Sequence, residues 1–166
     1  MIRLWLAAEG WDFTGERELL AWLSREAAKE SLSGEIHLIL VDDAEIERLN
    51  RSYLGHEGAT DVMAFPLEEG EPVTDPGEEG TSFPAGEVYV SLERAAEQAR
   101  EYGVTLSEEV ARLALHGVLH LAGWSDEDAA DREAMRRRED EGLHRAGAAD
   151  SLPWVAVPPH VKEEKE

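Results

Sequence analysis

Residues 105–126 read Thr-Leu-Ser-Glu-Glu-Val-Ala-Arg-Leu-Ala-Leu-His-Gly-Val-Leu-His-Leu-Ala-Gly-Trp-Ser-Asp. Thr105 with Glu108 makes a capping box that opens a helix, and Gly123 supplies a residue able to end it. Val110, Leu113, Ala114, Val118 and Leu121 recur at helical spacing and predict a core-facing stripe. The same helix carries His116 and His120, four positions apart and so on one face, about 6 Å apart along the axis. A turn at Gly123 lets Asp126 come back toward the same point. Two imidazoles and a carboxylate suit a zinc ion, and three protein ligands leave one position for water that ionises near neutral pH. A carboxylate as third ligand adds negative charge at the ion, which favours metal retention and makes the bound water a weaker acid.

Gly117 sits inside this helix, where glycine costs about 1 kcal/mol relative to alanine. That cost predicts a close approach of substrate or of neighbouring backbone. Gly117 also stands where the zinc-peptidase pattern has its general base, a glutamate directly after the first histidine. A metalloprotease mechanism therefore requires Glu108, Glu109 or another acid to reach in from elsewhere.

Outward from this segment, the chain reads as one α+β domain. Strand-like runs occur at 2–8, 35–41, 61–66 and 86–90. Thr14 offers a cap for a helix over 15–30, with Leu19, Leu20, Trp22, Leu23 and Ala27 on its apolar face. Asp42 with Glu45 caps a short helix bearing Ile46 and Leu49, and a further helix covers about 92–102. Ser125 with Asp128 is placed to cap a last helix over about 127–145. The expected architecture is a single-domain, mixed four-stranded sheet with packed helices, an antiparallel edge at 61–66, and the metal site at the end of a central helix. Residues 1–146 form that domain and 147–166 a C-terminal tail, loosely held except where Trp154 and Val157 dock back. Residues 67–83, rich in Gly, Pro and acids, read as a loop.

With 166 residues and 42% hydrophobic content, the chain is long enough for a core of its own. No cysteine is present, which excludes disulfides and thiolate metal sites. No apolar run reaches the roughly 18 residues of a membrane span, and no leader pattern opens the chain, so the expectation is a cytoplasmic protein without a membrane partner. The net charge of -21 opposes a broad polyanion-binding surface. A metal ion and a few arginines brought together by folding still allow a local positive cleft. The one linear basic cluster, Arg136-Arg137-Arg138, is flanked by acids.

The chain resembles the YbeY family, bacterial endoribonucleases and rRNA maturation factors. His116, Gly117, Leu119, His120, Leu121, Gly123 and Trp124 match its motif His-Gly-x-Leu-His-Leu-x-Gly-Tyr/Trp-Asp-His. Leu49, Asn50 and Tyr53 match a second motif, Thr60-Asp61-Val62-Met63-Ala64-Phe65-Pro66 a third, and Gly86-Glu87-Val88-Tyr89-Val90-Ser91 a fourth. The resemblance spans about residues 36–140. It departs at Asp126, which replaces the third histidine ligand, at Ser125, which replaces the aspartate before it, and at Leu54, where the family has an arginine that helps hold phosphate.

The resemblance implies one zinc ion on His116, His120 and Asp126, with metal-bound water as the reacting group and no catalytic side chain assigned beyond it. It implies a single-strand endoribonuclease acting at the 3′ end of the 16S rRNA precursor in ribosome biogenesis. Precursor rRNA and the small ribosomal subunit or its proteins are then the partners, and DNA is not. Arg51, Thr60, Asp61 and Trp124 are candidates for the substrate cleft. Asp61 reads equally as a strand-capping acid, Arg51 as a solvent-exposed helical arginine, and Trp124 as a packing residue. Two other functions fit the same residues: a non-catalytic ribosome-assembly protein with a structural metal, and a metalloprotease.

Overall fold

A computed structural model describes residues 1–32, 34–54, 60–66 and 86–159. The loop expected at 67–83 lies outside the described residues, as do the side chains of Tyr53 and Leu54. In chain order the elements are β1 (Ile2–Leu6), β2 (Asp12–Thr14), α1 (Glu16–Lys29), β3 (Ile36–Val41), α2 (Asp43–Leu49), one π-helical turn (Asn50–Leu54), β4 (Val62–Pro66), β5 (Gly86–Ser91), α3 (Leu92–Tyr102), α4 (Leu106–Leu121), α5 (Ala129–Ala146), a 3-10 turn (Ala149–Ser151) and β6 (Val155–Val157).

The main sheet runs β1-β3-β5-β4, parallel except for β4, which pairs antiparallel to β5 at the edge. This is the expected mixed four-stranded sheet. Alternation along the strands divides the apolar residues between two faces. Ile36, Leu38, Leu40, Val88 and Val90 join the large core, built with α1, α3, α4 and α5. Val41 and Met63 meet Ile46 and Leu49 of α2 in a smaller cluster on the other face.

Helix α4 lies against β4 and β5. A Cβ at Gly117 would collide with the Val88 side chain and sit 3.3 Å from Val62. A Cβ at Gly86 would stand 2.5 Å from Leu121 and 2.6 Å from the Phe65 carbonyl oxygen. Glycine thus appears on both sides of one contact, letting helix and sheet approach more closely than side chains permit. The partner that explains Gly117 is the Val88 side chain, not substrate or neighbouring backbone.

Several local expectations change. Gly15, in left-handed conformation at φ 81°, precedes α1 with no side-chain cap, while Thr14 belongs to β2. Asp128 alone caps α5, accepting from the Asp131 amide at 2.8 Å, and Ser125 instead accepts from the Glu127 amide. β2 pairs antiparallel with β6 in a second, two-stranded sheet. Residues 149–157 are therefore not loosely held: Trp154 is buried against Trp22 with ring centroids 5.5 Å apart, and its indole donates to the Ser107 carbonyl at 3.0 Å.

A buried charge network ties α1 to α5. Glu26, 1% exposed, accepts from Arg138 at 2.9 Å and from Arg145 at 2.7 and 2.9 Å. Glu30 accepts from Arg138 at 2.7 Å and from the Trp124 indole at 3.0 Å. Burial alone raises the Glu26 pKa, but the bonds from Arg145 and Arg138 outweigh it and hold the carboxyl below its ordinary value of 4.5. This stabilisation is complete above the ordinary value and is lost as pH falls through the lowered one. Glu26→Gln should destabilise the fold by roughly 1–3 kcal/mol at neutral pH, because Arg138 and Arg145 lose a buried carboxylate, although Arg138 keeps Glu30. Urea unfolding at neutral and acidic pH checks both points. The gap between variant and wild type should close in acid.

Candidate metal centre

Helix α4 ends in a turn that the sequence specifies residue by residue. The Gly123 amide donates to the His120 carbonyl at 3.0 Å, and the Trp124 amide donates to the Leu119 carbonyl at 3.0 Å. These two bonds form a Schellman motif, which requires a left-handed residue after the helix, and Gly123 provides it at φ 98°. The reversed chain brings the Trp124 carbonyl within 3.1 Å of His120 Nδ1 and carries Asp126 over the helix end. Arg132 of α5 holds that loop by donating to the Asp126 and Glu127 carbonyls at 3.3 and 3.1 Å.

His116, His120 and Asp126 converge as expected. His116 Nε2 and His120 Nε2 are 3.0 Å apart, and Asp126 Oδ2 lies 3.2 Å from His120 Nε2 and 3.5 Å from His116 Nε2. Tetrahedral zinc with bonds of 2.0–2.1 Å places its ligands about 3.3 Å from one another. The observed triangle brackets that spacing.

The outer ring nitrogens point to the same conclusion. A carbonyl oxygen only accepts, so His120 Nδ1 must carry the proton shared with Trp124 O. His116 Nδ1 meets Glu139 Oε2 at 2.7 Å, and an ionised carboxylate likewise takes a proton from it. In the neutral rings both Nε2 atoms then present lone pairs to each other and to a carboxylate. Three electron-pair donors facing one point form a site that a cation suits. Burial opposes charge on His116, yet the Glu139 bond outweighs it, with Asp61 and Asp126 adding to the effect, and raises the imidazole pKa.

The residues that orient this site were only partly legible. Glu139, 4% exposed and 23 positions beyond His116, was not singled out. Its signal was helical periodicity: 135, 139 and 143 share a face of α5 with Met135 and Leu143 in the core. Arg112 secures Glu139 from α4 at 3.3 Å and Asp140 at 2.8 Å.

His116 and Asp126 of the triangle line a cleft between α3, α4, α5 and the residue that precedes β4. Asp61 lines it, as do Glu109, Arg132 and Arg136. Asp61 also leads into β4, accepting from the Val62 amide at 2.8 Å and from Gln98 at 3.0 Å, so it caps the strand and faces the cleft together. Thr60 stands beside it, its hydroxyl 3.4 Å from Asp61 Oδ1. Arg51 is ion-paired with Glu47 at 3.0 Å and is not part of this wall. Trp124 directs its indole to Glu30 and packs against the core, so its contribution to the site is its backbone carbonyl.

A sequence model of the family described as Endoribonuclease YbeY matches residues 12–147. The chain belongs to the YbeY family. It is 44% identical to Endoribonuclease YbeY of Pelotomaculum thermopropionicum over 135 residues, covering 77% of this chain and 87% of that protein. Against Endoribonuclease YbeY of Moorella thermoacetica it is 41% identical over 146 residues, covering 82% and 92%. A Thermotoga maritima protein with a known solution structure superposes with a TM-score of 0.57 at 30% identity, over 87% of each chain. Within this YbeY-family chain, Asp126 reaches the position from which a third ligand can act.

Because Glu139 sets the tautomer and rotation of His116, Glu139→Gln should weaken metal affinity roughly 10- to 100-fold. Competition with a chromophoric chelator measures this directly.

Proposed function

We propose that the protein is a zinc-dependent endoribonuclease that cleaves single-stranded RNA, acting on the 3′ end of the 16S rRNA precursor during ribosome biogenesis in the cytoplasm. The observation that carries the reading is the open triangle of His116, His120 and Asp126, of which His116 and Asp126 line a cleft. A structural zinc site is closed by four protein ligands, whereas a catalytic one keeps a free position. Among the described residues the group contains three ligands, and their side chains are 23%, 30% and 44% exposed. That exposure favours catalysis over a purely structural metal.

When bound, the ion supplies Lewis-acid stabilisation of charge developing on a phosphodiester and makes water acidic enough to react near neutral pH. The chain's own contributions are positional. Glu139 and the Trp124 carbonyl fix both imidazole rings, and Arg132 holds the loop that presents Asp126. Asp61, with Thr60 hydrogen-bonded beside it, lines the cleft where substrate would lie. Peptidase chemistry is disfavoured by packing as well as by composition: a glutamate at position 117 would collide with Val88.

Purified wild-type protein should hold zinc stoichiometrically and cut an unstructured fragment of precursor rRNA. His120→Ala should lose both properties while remaining folded by circular dichroism. Cells lacking the protein should accumulate 3′-extended small-subunit rRNA, corrected by wild type and not by His120→Ala. Undiminished cleavage by metal-free His120→Ala protein would defeat the proposal.

A further inference from the structure

The basic cluster Arg136-Arg137-Arg138 is divided by the helix into three environments. Arg138 is buried in the network with Glu26 and Glu30, and Arg137 turns outward to Glu133 at 2.7 Å. Arg136 turns toward the cleft, next to the metal-ligand wall. Arg132, one helical turn earlier, lines the same cleft. Arg112 in this cleft is held by Glu139 and Asp140, whereas Arg132 and Arg136 form no ion pair among the described residues.

In a chain of net charge -21, unpaired guanidiniums at the mouth of one cleft call for an explanation. Glu109 shares the cleft with Arg136 but is 2% exposed, with Oε2 lacking any hydrogen-bond partner. Burial raises the Glu109 pKa, against the opposing influence of Arg112 and Arg136. Arg136 is ion-paired with none of the acids around it among the described residues, which leaves its guanidinium open to an outside anion. With a divalent ion in place, its charge offsets acids of the ligand wall, Arg112 stays held by Glu139 and Asp140, and Arg132 and Arg136 are the cleft's unpaired cations among the described residues. The two arginines then form a local cationic edge on an acidic protein.

We propose that Arg136, supported by Arg132, forms a subsite on α5 for the RNA phosphate that flanks the one at the metal centre. This rests on the ribonuclease reading and adds to it the residue that holds the strand. Arginine suits the role because its planar fork can donate two parallel bonds to one phosphate. Arg132 already gives one nitrogen to the Asp126 and Glu127 carbonyls, which leaves Arg136 as the principal contact and the cleaner position to test.

The test uses the metal-loaded full chain and a fluorescent oligouridylate, with binding followed across a range of salt concentrations. Arg136→Ala should weaken binding roughly tenfold, the scale of one charge-assisted contact. It should also flatten the plot of log affinity against log salt by about 0.7, the value for one phosphate neutralised on a single strand. Arg136→Lys should restore the salt slope, since the charge remains. Arg137→Ala, on the outer face of the same helix, should bind as wild type does. Zinc content and melting temperature should be the same in all four proteins. The subsite is overturned if Arg136→Ala binds with unchanged affinity and slope, if Arg137→Ala is equally impaired, or if Arg136→Ala loses its metal. If the wild-type protein binds no single-stranded RNA under any salt condition, the ribonuclease reading itself fails and the subsite falls with it.

Discussion

The close approach of α4 to strands β4 and β5 sets the position of everything that follows. Gly117 removes the side chain that would strike Val88, and Gly86 removes the one that would strike Leu121. The helix can therefore lie deep on the sheet, with its apolar residues buried and its histidine-bearing face turned toward α5. A larger residue at either glycine would lift the helix, and both imidazoles would move with it. The helix propensity lost at Gly117, about 1 kcal/mol, is small beside the packing it allows.

From that seat, the site is assembled by hydrogen bonds that each have a structural origin. The Schellman turn at Gly123 places a carbonyl behind His120, and α5 places a carboxylate behind His116. Glu30 connects the Trp124 indole to Arg138 and so to Glu26 of α1. The metal-binding turn is thus continuous with the charge network in the interior. Such a network specifies one arrangement strongly because every unpaired member would be costly to bury. The strap formed by β6 and Trp154 closes the other end of the same core, reaching Ser107 at the beginning of α4.

The overall charge is a poor guide to the potential in the cleft. Among the described residues the acids other than Glu26, Glu109 and Glu139 reach solvent at least in part, where water and salt screen them over about 10 Å. Inside the cleft a few groups at short range dominate, and folding decides which of them are paired. Three adjacent arginines show the distinction: one is structural, one is paired at the surface, and one faces the site.

Much of this protein was legible in its residues because the deciding signals are local. Periodicity of two and of 3.6 identified the strands and helices of the main sheet, and the capping residues Thr105 and Asp42 marked helix starts through bonds spanning only three positions. Spacing within one helix and one turn was enough to bring His116, His120 and Asp126 together. Pairing between distant segments was not legible, since neither partner's sequence names the other. β2 and β6 are each three residues long, too short for a periodic pattern, and Glu26, Glu139 and Arg138 looked like ordinary charges on helices. By itself, the sequence determined which side chains could act as ligands, because helical geometry and a glycine turn are short-range properties of the backbone. Only the tertiary structure decided which charges are buried, which are paired and which remain open to a ligand, because desolvation and Coulomb energy depend on neighbours that the chain brings together across more than a hundred residues.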